Sequence, residues 1–356
     1  MLSADTFGDL DTPCIVIDET IALKNIRVLQ AHCDAAGLAL RPHIKTHKMV
    51  AFARAQIEAG AAGINCQKIG EAEVMADGGL DDILITFNIV GAGKLERLRR
   101  LAGRVKRLAV TADSAATVAG LSAAFVDAGQ PLDVLVECDT GAGRCGVQTP
   151  RAACDLAAII ASSPGLSFGG LMTYPAVGGA QAAALFMTEA VGKLAAAGLD
   201  CPVVTTGGSP DMAGAAPLGV FTEYRAGTYI YNDRSLVARG ACGWQDCALG
   251  VLATVVSTPT PGRAVIDAGS KSLTSDLLGL EGFGHVAGSS DTAIVSLSEE
   301  HGVLHHGTAD IYQIGQRILV IPNHVCVVSN LFDEAWLMKM NGELVRVPVD
   351  ARGTVS

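Results

Sequence analysis

Between residues 38 and 230 the sequence alternates eight short runs rich in Val, Ile and Leu with longer Ala-rich or amphipathic stretches. Few architectures accept that pattern. The predicted strands cover residues 38–45, 63–66, 83–87, 107–113, 133–139, 166–174, 202–208 and 223–230. Helices are predicted between them over 49–59, 72–77, 94–101, 114–128, 150–162 and 181–197. The strands are nearly all apolar rather than alternating, as expected when both faces of a parallel strand are covered. Eight strand–helix units in about 200 residues fit a closed (β/α)8 TIM barrel, with an open doubly wound sheet as the structural rival. Glycine at 41 of 356 residues and only 4% aromatics suit tightly packed units joined by short turns.

After about residue 245 the pattern changes. Short strands are predicted over 249–257, 264–267, 293–298, 317–321, 324–328, 334–337 and 343–347, separated by Gly, Pro and Asp turns with no long helical pattern. This reads as a C-terminal all-β domain. An isolated strand at 14–18, which the barrel does not need, is assigned to it. The expected division is residues 20–245 for the barrel and 1–19 with 246–356 for the β domain. A formal charge of −10 without a basic run excludes nucleic-acid binding and attachment to an anionic membrane. No apolar stretch reaches the ~18 to 20 residues of a membrane span. Residues 1–5 show no signal peptide, and the ten cysteines contain no CxxC pair. Buried thiols in the cytoplasm are therefore expected.

Four segments carry chemistry. Arg41-Pro42-His43-Ile44-Lys45-Thr46-His47-Lys48 ends the first barrel strand. Taken alone it is a solvated strand end. Active sites of such barrels, however, sit at the carboxyl ends of strands, where Lys45, with Arg41 or histidine neighbours and partial desolvation, would act as a Schiff-base nucleophile. Thr206-Gly207-Gly208-Ser209 and Gly227-Thr228-Tyr229 follow the seventh and eighth strands, where barrels commonly cradle phosphate. A Schiff-base lysine and a phosphate cradle at one end of a barrel imply pyridoxal 5′-phosphate. Arg144, in the Gly-rich turn after the fifth strand, is either an exposed turn arginine or a cation for that cofactor's phenolic oxygen. His324 and Cys326 would share one face of a strand and bind a divalent ion with open positions, or else be a core histidine beside a core cysteine.

Together, residues 41–48, 139–147, 206–209 and 322–326 resemble the fold-type III, alanine-racemase-like pyridoxal phosphate enzymes, in the branch of D-threonine aldolases and D-serine dehydratases. The resemblance implies a barrel plus a β domain and a homodimer. It makes Lys45 the Schiff-base lysine and Arg144 the partner of the cofactor's 3′-oxygen. Thr206, Gly207, Gly208, Ser209, Gly227, Thr228 and Tyr229 become phosphate-side residues, and Gln67 and Tyr174 pocket residues. His324 and Cys326 become the metal pair, for Zn, Mn, Mg or Co. Familiar D-threonine aldolases carry His-Cys-Asp at the metal, whereas His-x-Cys resembles the dehydratase side of the branch; against that, residues 170–175 and 267–276 look like a bacterial subgroup usually called D-threonine-aldolase-like. The expected reaction is metal-assisted retro-aldol cleavage of a D-β-hydroxy amino acid to glycine and an aldehyde, with His43 or a metal-bound hydroxide as base. D-serine or D-hydroxyaspartate dehydration is the alternative, and a non-catalytic cofactor-binding protein a further one.

Overall fold

The computed structural model describes residues 4–8, 10–214, 218–308 and 311–356. The chain divides into two compact units. One comprises Val28–Lys45, Val50–Gly227 and Thr354–Ser356; the other comprises the described residues up to Arg27, Thr46–Met49 and Thr228–Gly353.

After a strand β1 (Cys14–Asp18) and a helix (Glu19–Ala35), the chain runs through β2 (Ala39–Leu40), β3 (Ile64–Cys66), β4 (Asp82–Asn88), β5 (Arg107–Ala112), β6 (Leu132–Cys138), β7 (Leu166–Thr173), β8 (Val204–Gly207) and β9 (Glu223–Arg225). β2 to β9 form one parallel sheet in sequence order, except that β2 lies beside β9. The ring closes through a parallel bridge between His43 and Asn65. The Asn65 N–H donates to the Pro42 carbonyl at 2.8 Å, and the Ile44 N–H to the Asn65 carbonyl at 2.9 Å. Helices follow most strands, as the apolar spacing requires. In the helix Pro150–Ser162 the Thr149 hydroxyl accepts from the Ala152 amide and Pro150 occupies the first turn, where no amide hydrogen is needed. Ala153, Leu156, Ala157 and Ile160 form its buried stripe.

Inside the barrel, Leu84, Ala109, Leu135 and Met172 make an apolar layer with Val203 packed against it. The two-residue period of a strand puts the next inward positions one step closer to the carboxyl ends. These are polar and buried: Thr86, Thr111, Glu137, Thr205 and Arg225, joined by His43 and Asn65. This polar layer forms the floor of the barrel mouth. Two predicted strands are shorter than expected. The regular ladder of β2 covers only Ala39–Leu40, although the Arg41 and His43 amides still donate to the Tyr224 and Ala226 carbonyls of the β9 side at 2.9 Å each; Pro42, between them, has no amide hydrogen to give. The last strand ends at Arg225, and Thr228–Ile230 is a 3-10 turn.

The second unit is built on β10 (Leu249–Thr260), β11 (Arg263–Ile266), β12 (His285–Val286), β13 (Thr292–Leu297), β14 (Gly302–His306), β15 (Arg317–Ile321), β16 (Glu334–Met338) and β17 (Leu344–Pro348). Most neighbours are antiparallel. β1 lies between β10 (Ile15 opposite Val251) and, in parallel, β16 (Val16 opposite Trp336). Phe7, Val16, Leu252 and Leu319 form its core. Strands β12 and β14 escape the sequence reading, one being two residues long and the other holding Gly302, His305 and His306.

The expected strand over 324–328 is instead a helix, Val325–Leu331. Val325, Val328 and Ser329 are its buried residues, spaced three and four apart. That is a helical stripe, hidden in the sequence by β-branched valines. His324 is the last extended residue before it (φ −143°, ψ 100°). His324 and Cys326 therefore do not share a strand face.

Candidate active site

In the barrel unit, Lys45 is half-buried beyond the carboxyl end of β2, and its amide N–H donates to His43 Nδ1 at 3.3 Å. Since an amide is only a donor, Nδ1 accepts and the ring proton sits on Nε2. Nε2 lies 3.1 Å from Gln67 Oε1, while Gln67 Nε2 donates to the Thr86 carbonyl at 2.9 Å. The chain of bonds thus has one direction, from His43 through Gln67 to β4. Both ring nitrogens of His43 thus face a partner.

Arg41 is not a neighbour of the Lys45 amine. Its guanidinium donates to Glu223 at 2.8 Å and Asp82 at 2.6 Å, the first residues of β9 and β4, so it belongs to the opposite, amino end of the barrel. Burial opposes its charge, but the two carboxylates more than offset that and hold it above the usual arginine range.

After β6, residues 139–147 form a loop closed by a bridge between Cys138 and Val147. The Asp139 carboxylate accepts the Gly141 and Gly143 amides at 3.0 and 3.1 Å. Gly146 (φ +122°) admits no side chain, because a Cβ there would stand 2.3 Å from the Asp139 nitrogen. The loop presents Arg144, whose guanidinium carbon lies 5.1 Å from the centre of the Tyr174 ring. A Cβ on Gly208 would lie 3.8 Å from the same ring, so Arg144, Tyr174 and the Gly208 backbone line one cradle. At Gly207 a Cβ would meet the Arg225 carbonyl at 2.1 Å, so only glycine lets β8 and β9 approach here. The Tyr224 hydroxyl donates to the Gly208 carbonyl at 2.6 Å and pins the turn. Thr206 and Ser209 are buried on either side.

Beneath the cradle, Arg225 donates to the Thr205 hydroxyl at 2.9 Å and the Thr173 carbonyl at 2.6 Å. Desolvation lowers its pKa to about 10, against the pull of Glu223 and Glu137. Burial pushes the Glu137 carboxyl up, while Arg144 and Arg225 oppose the shift. These two buried charges were not singled out from sequence, although both lie on inward positions of predicted strands.

In the second unit, the Thr46 hydroxyl lies 3.0 Å from the Cys326 sulfur and the Thr228 hydroxyl 3.5 Å from it. Thr228 thus contributes its side chain to the cysteine, a contact the phosphate-side assignment did not foresee. Tyr229 is buried in the same turn. His324 Nδ1 is 2.7 Å from Asp276 Oδ2. Burial would lower the His324 pKa, but Cys326 and Asp276 raise it to about 9. Asn323 ties this segment to the loop before β12, donating to the Asp276 and Gly282 carbonyls at 3.1 and 2.8 Å and accepting from Arg234 at 3.0 Å. The buried Asp233 carboxylate accepts the Val325 amide at 3.3 Å and so holds the start of the helix. Asp276 ends the motif 267–276, but nothing in sequence pairs it with His324, 48 residues later.

Both expected groups fit the residues present. For pyridoxal phosphate, a lysine, a cation over an aromatic ring and a turn without side chains stand at the carboxyl end of the barrel. For a divalent ion, Asp276 holds His324 by Nδ1 and leaves Nε2 to meet the ion on loss of its proton, the usual outer-shell arrangement of a metal-ligating histidine. Cys326 adds a soft sulfur donor. Among the described residues no group of three or more His, Cys, Asp or Glu converges, so two protein donors carry that fit. Among the described residues no disulfide joins the ten cysteines, and Cys145 is exposed rather than buried. No helix among the described residues is long and apolar enough to cross a membrane; Met1, Leu2 and Ser3, part of the segment read for a signal peptide, lie outside those residues.

A parallel barrel with a lysine at its mouth, joined to an antiparallel unit, defines an alanine-racemase-like enzyme. The chain belongs to that family of pyridoxal phosphate enzymes: residues 17–235 match the alanine racemase N-terminal domain and residues 248–338 a putative serine dehydratase domain. It is 35% identical to the D-threonine aldolase of Arthrobacter sp, over 92% of this chain and 89% of that one. The crystal structure of a D-threonine aldolase from Filomicrobium marinum superposes with a TM-score of 0.91 at 33% identity, covering 98% and 97% of the two chains. The D-threo-3-hydroxyaspartate dehydratase from Delftia sp. HT23 gives 0.87 at 31% identity, covering 96% and 97%. Two further similar structures are D-threo-3-hydroxyaspartate dehydratase mutants, one histidine-to-alanine and the other, in the metal-free form, cysteine-to-alanine two positions further on.

Proposed function

We propose that this protein is a metal-assisted, pyridoxal phosphate-dependent lyase of the D-threonine aldolase type, cleaving D-β-hydroxy-α-amino acids to glycine and an aldehyde. The observation that carries the reading is His324, its Nδ1 committed to Asp276 and Cys326 beside it. A racemase needs no such pair. The full-length likeness to a D-threonine aldolase supports the same reading.

Lys45 would hold the cofactor covalently. Arg144 would face its phenolic oxygen, Tyr174 and Gln67 would bound its ring, and the turns Thr206-Gly207-Gly208-Ser209 and Gly227-Thr228-Tyr229 would receive its phosphate. When bound, pyridoxal phosphate supplies an electron sink for the bond broken at Cα. His324 and Cys326 would hold the divalent ion, which supplies a Lewis acid for the substrate's β-hydroxyl. His43 would hold Gln67 in place and take the proton of the substrate's β-hydroxyl. The Lys45 amine, in its protonated form, would give Cα the proton that completes glycine. A homodimer and a cytoplasmic location are part of the same proposal.

One observation favours a second reading, dehydration of a D-hydroxy amino acid to ammonia and an oxo acid. His324 and Cys326 are two residues apart, the spacing of the histidine and cysteine substituted in the D-threo-3-hydroxyaspartate dehydratase mutants. Incubating the protein with D-threonine, D-serine and D-3-hydroxyaspartate separates the two. Glycine with aldehyde is expected; oxo acid with ammonia and no glycine refutes the aldolase reading. Loss of turnover on chelation, restored by zinc, manganese or cobalt, is expected for either. Turnover indifferent to chelation removes the metal.

A further inference from the structure

The cation over Tyr174 does not hold its own position. Arg144 is exposed, in a loop with three glycines at positive φ, Gly141 (+116°), Gly143 (+65°) and Gly146 (+122°). Such a loop has many accessible conformations unless something selects one. Neither the Arg144 side chain nor the glycines can do so. Asp139 can. One carboxylate oxygen accepts the Gly141 and Gly143 amides at 3.0 and 3.1 Å, and the other faces the Gln148 side-chain amide at 3.4 Å. The loop's far end is fixed separately: the Val147 amide donates to the Glu137 carbonyl at 2.9 Å and the Gly146 amide to Asp113 at 3.2 Å. Arg144 lies between these two anchors. The same amides, Gly141 first, hold the Asp139 carboxyl below the usual carboxylate range, as accepted N–H bonds do.

We propose that Asp139 is the positioning residue for Arg144: by gathering the Gly141 and Gly143 amides it selects the loop conformation in which the guanidinium stands over Tyr174, facing the cofactor's phenolic oxygen. The inference rests on the assignment of Arg144 made above. Because the carboxylate acts as an acceptor of N–H bonds, its charge is secondary. An asparagine, which keeps one acceptor oxygen, preserves most of the effect, and an alanine does not.

The test uses the full-length protein loaded with pyridoxal phosphate. Asp139→Ala is expected to weaken cofactor retention in equilibrium dialysis about tenfold, the worth of one to two lost hydrogen bonds. It should also shift the pH midpoint of the bound chromophore's absorbance towards that of Arg144→Ala. Asp139→Asn should stay within about twofold of the unsubstituted protein. In an Arg144→Ala background Asp139→Ala should add nothing. Amide exchange at Gly141 and Gly143, followed without cofactor, should quicken in the alanine variant and reports on the loop directly. An Arg144→Ala effect with an inert Asp139→Ala overturns the positioning role while leaving Arg144 in the site. An asparagine variant as poor as alanine also overturns it. A chromophore indifferent to Arg144→Ala overturns the underlying assignment instead.

Discussion

The amino end of the barrel offers a quantitative test of how its strands are held. Arg41 bridges β2 to β4 and β9, but its two partners are unequal. The side chain of Glu223 is 7% exposed and that of Asp82 31%. Water can therefore replace Arg41 at Asp82 but not at Glu223, one of whose oxygens, Oε1, already lacks a hydrogen-bond partner. Arg41→Leu leaves a buried carboxylate without its cation and should cost about 3–5 kcal/mol. In a unit of this size that lowers Tm by roughly 6–20 °C. Adding Glu223→Leu removes the stranded charge and should recover most of the loss, because replacing both members of a buried pair by apolar groups is nearly neutral. Asp82→Ala alone should cost under about 1 kcal/mol. Urea unfolding of the four full-length proteins, followed by circular dichroism, measures all three differences. A loss below about 1 kcal/mol for Arg41→Leu, or a double variant as unstable as the single one, refutes the reasoning.

Lys45→Ala should abolish the visible chromophore that borohydride traps, measured by absorbance and by mass of the reduced protein; a persistent covalent adduct means another amine carries the cofactor. Asp276→Asn should weaken metal retention about 10- to 100-fold in dialysis without displacing the cofactor, since only the orientation of His324 changes. His285 stacks on Trp244 at 4.0 Å, and burial, aided by Arg234, lowers its pKa. A folded-state pKa below the unfolded one means that stability is lost as pH falls through the unfolded value near ~6.5. His285→Gln should flatten that part of the stability profile, and an unchanged slope in thermal melts across it refutes the assignment.

Much of the barrel was legible because both signals of a parallel strand coincide: continuous apolar runs, and helices with caps such as Thr149 and Pro150 between them. The boundaries that failed are informative. At Pro42 the extended chain lacks one donor, and composition says little about how far the regular ladder runs. At residues 324–328 the valines suit a strand, yet burial at 325, 328 and 329 follows a helical period that only the packed neighbours reveal. Lys45, Arg144 and the Gly207-Gly208 turn could be found because strand ends locate them. Asp276, Thr46 and the buried pair Glu137 and Arg225 could not. Their roles arise from contacts across tens to hundreds of residues, or from inward positions that resemble any other polar residue in a strand. Arg41 shows the converse: nearness in sequence to Lys45 suggested an electrostatic neighbour, whereas the strand's rise carries it to the other end of the barrel.

The position of β1 has a consequence for how the chain is made. This strand precedes its two hydrogen-bonded neighbours, β10 and β16, by more than 200 and 300 residues. Until the ribosome has made both of them, an apolar segment, Ile15-Val16-Ile17, waits with both edges bare. Such late closure makes nascent chains dependent on shielding by chaperones and slows maturation. It also means that a fragment starting after the barrel would contain an open slot, which a synthetic peptide carrying residues 14–18 could fill.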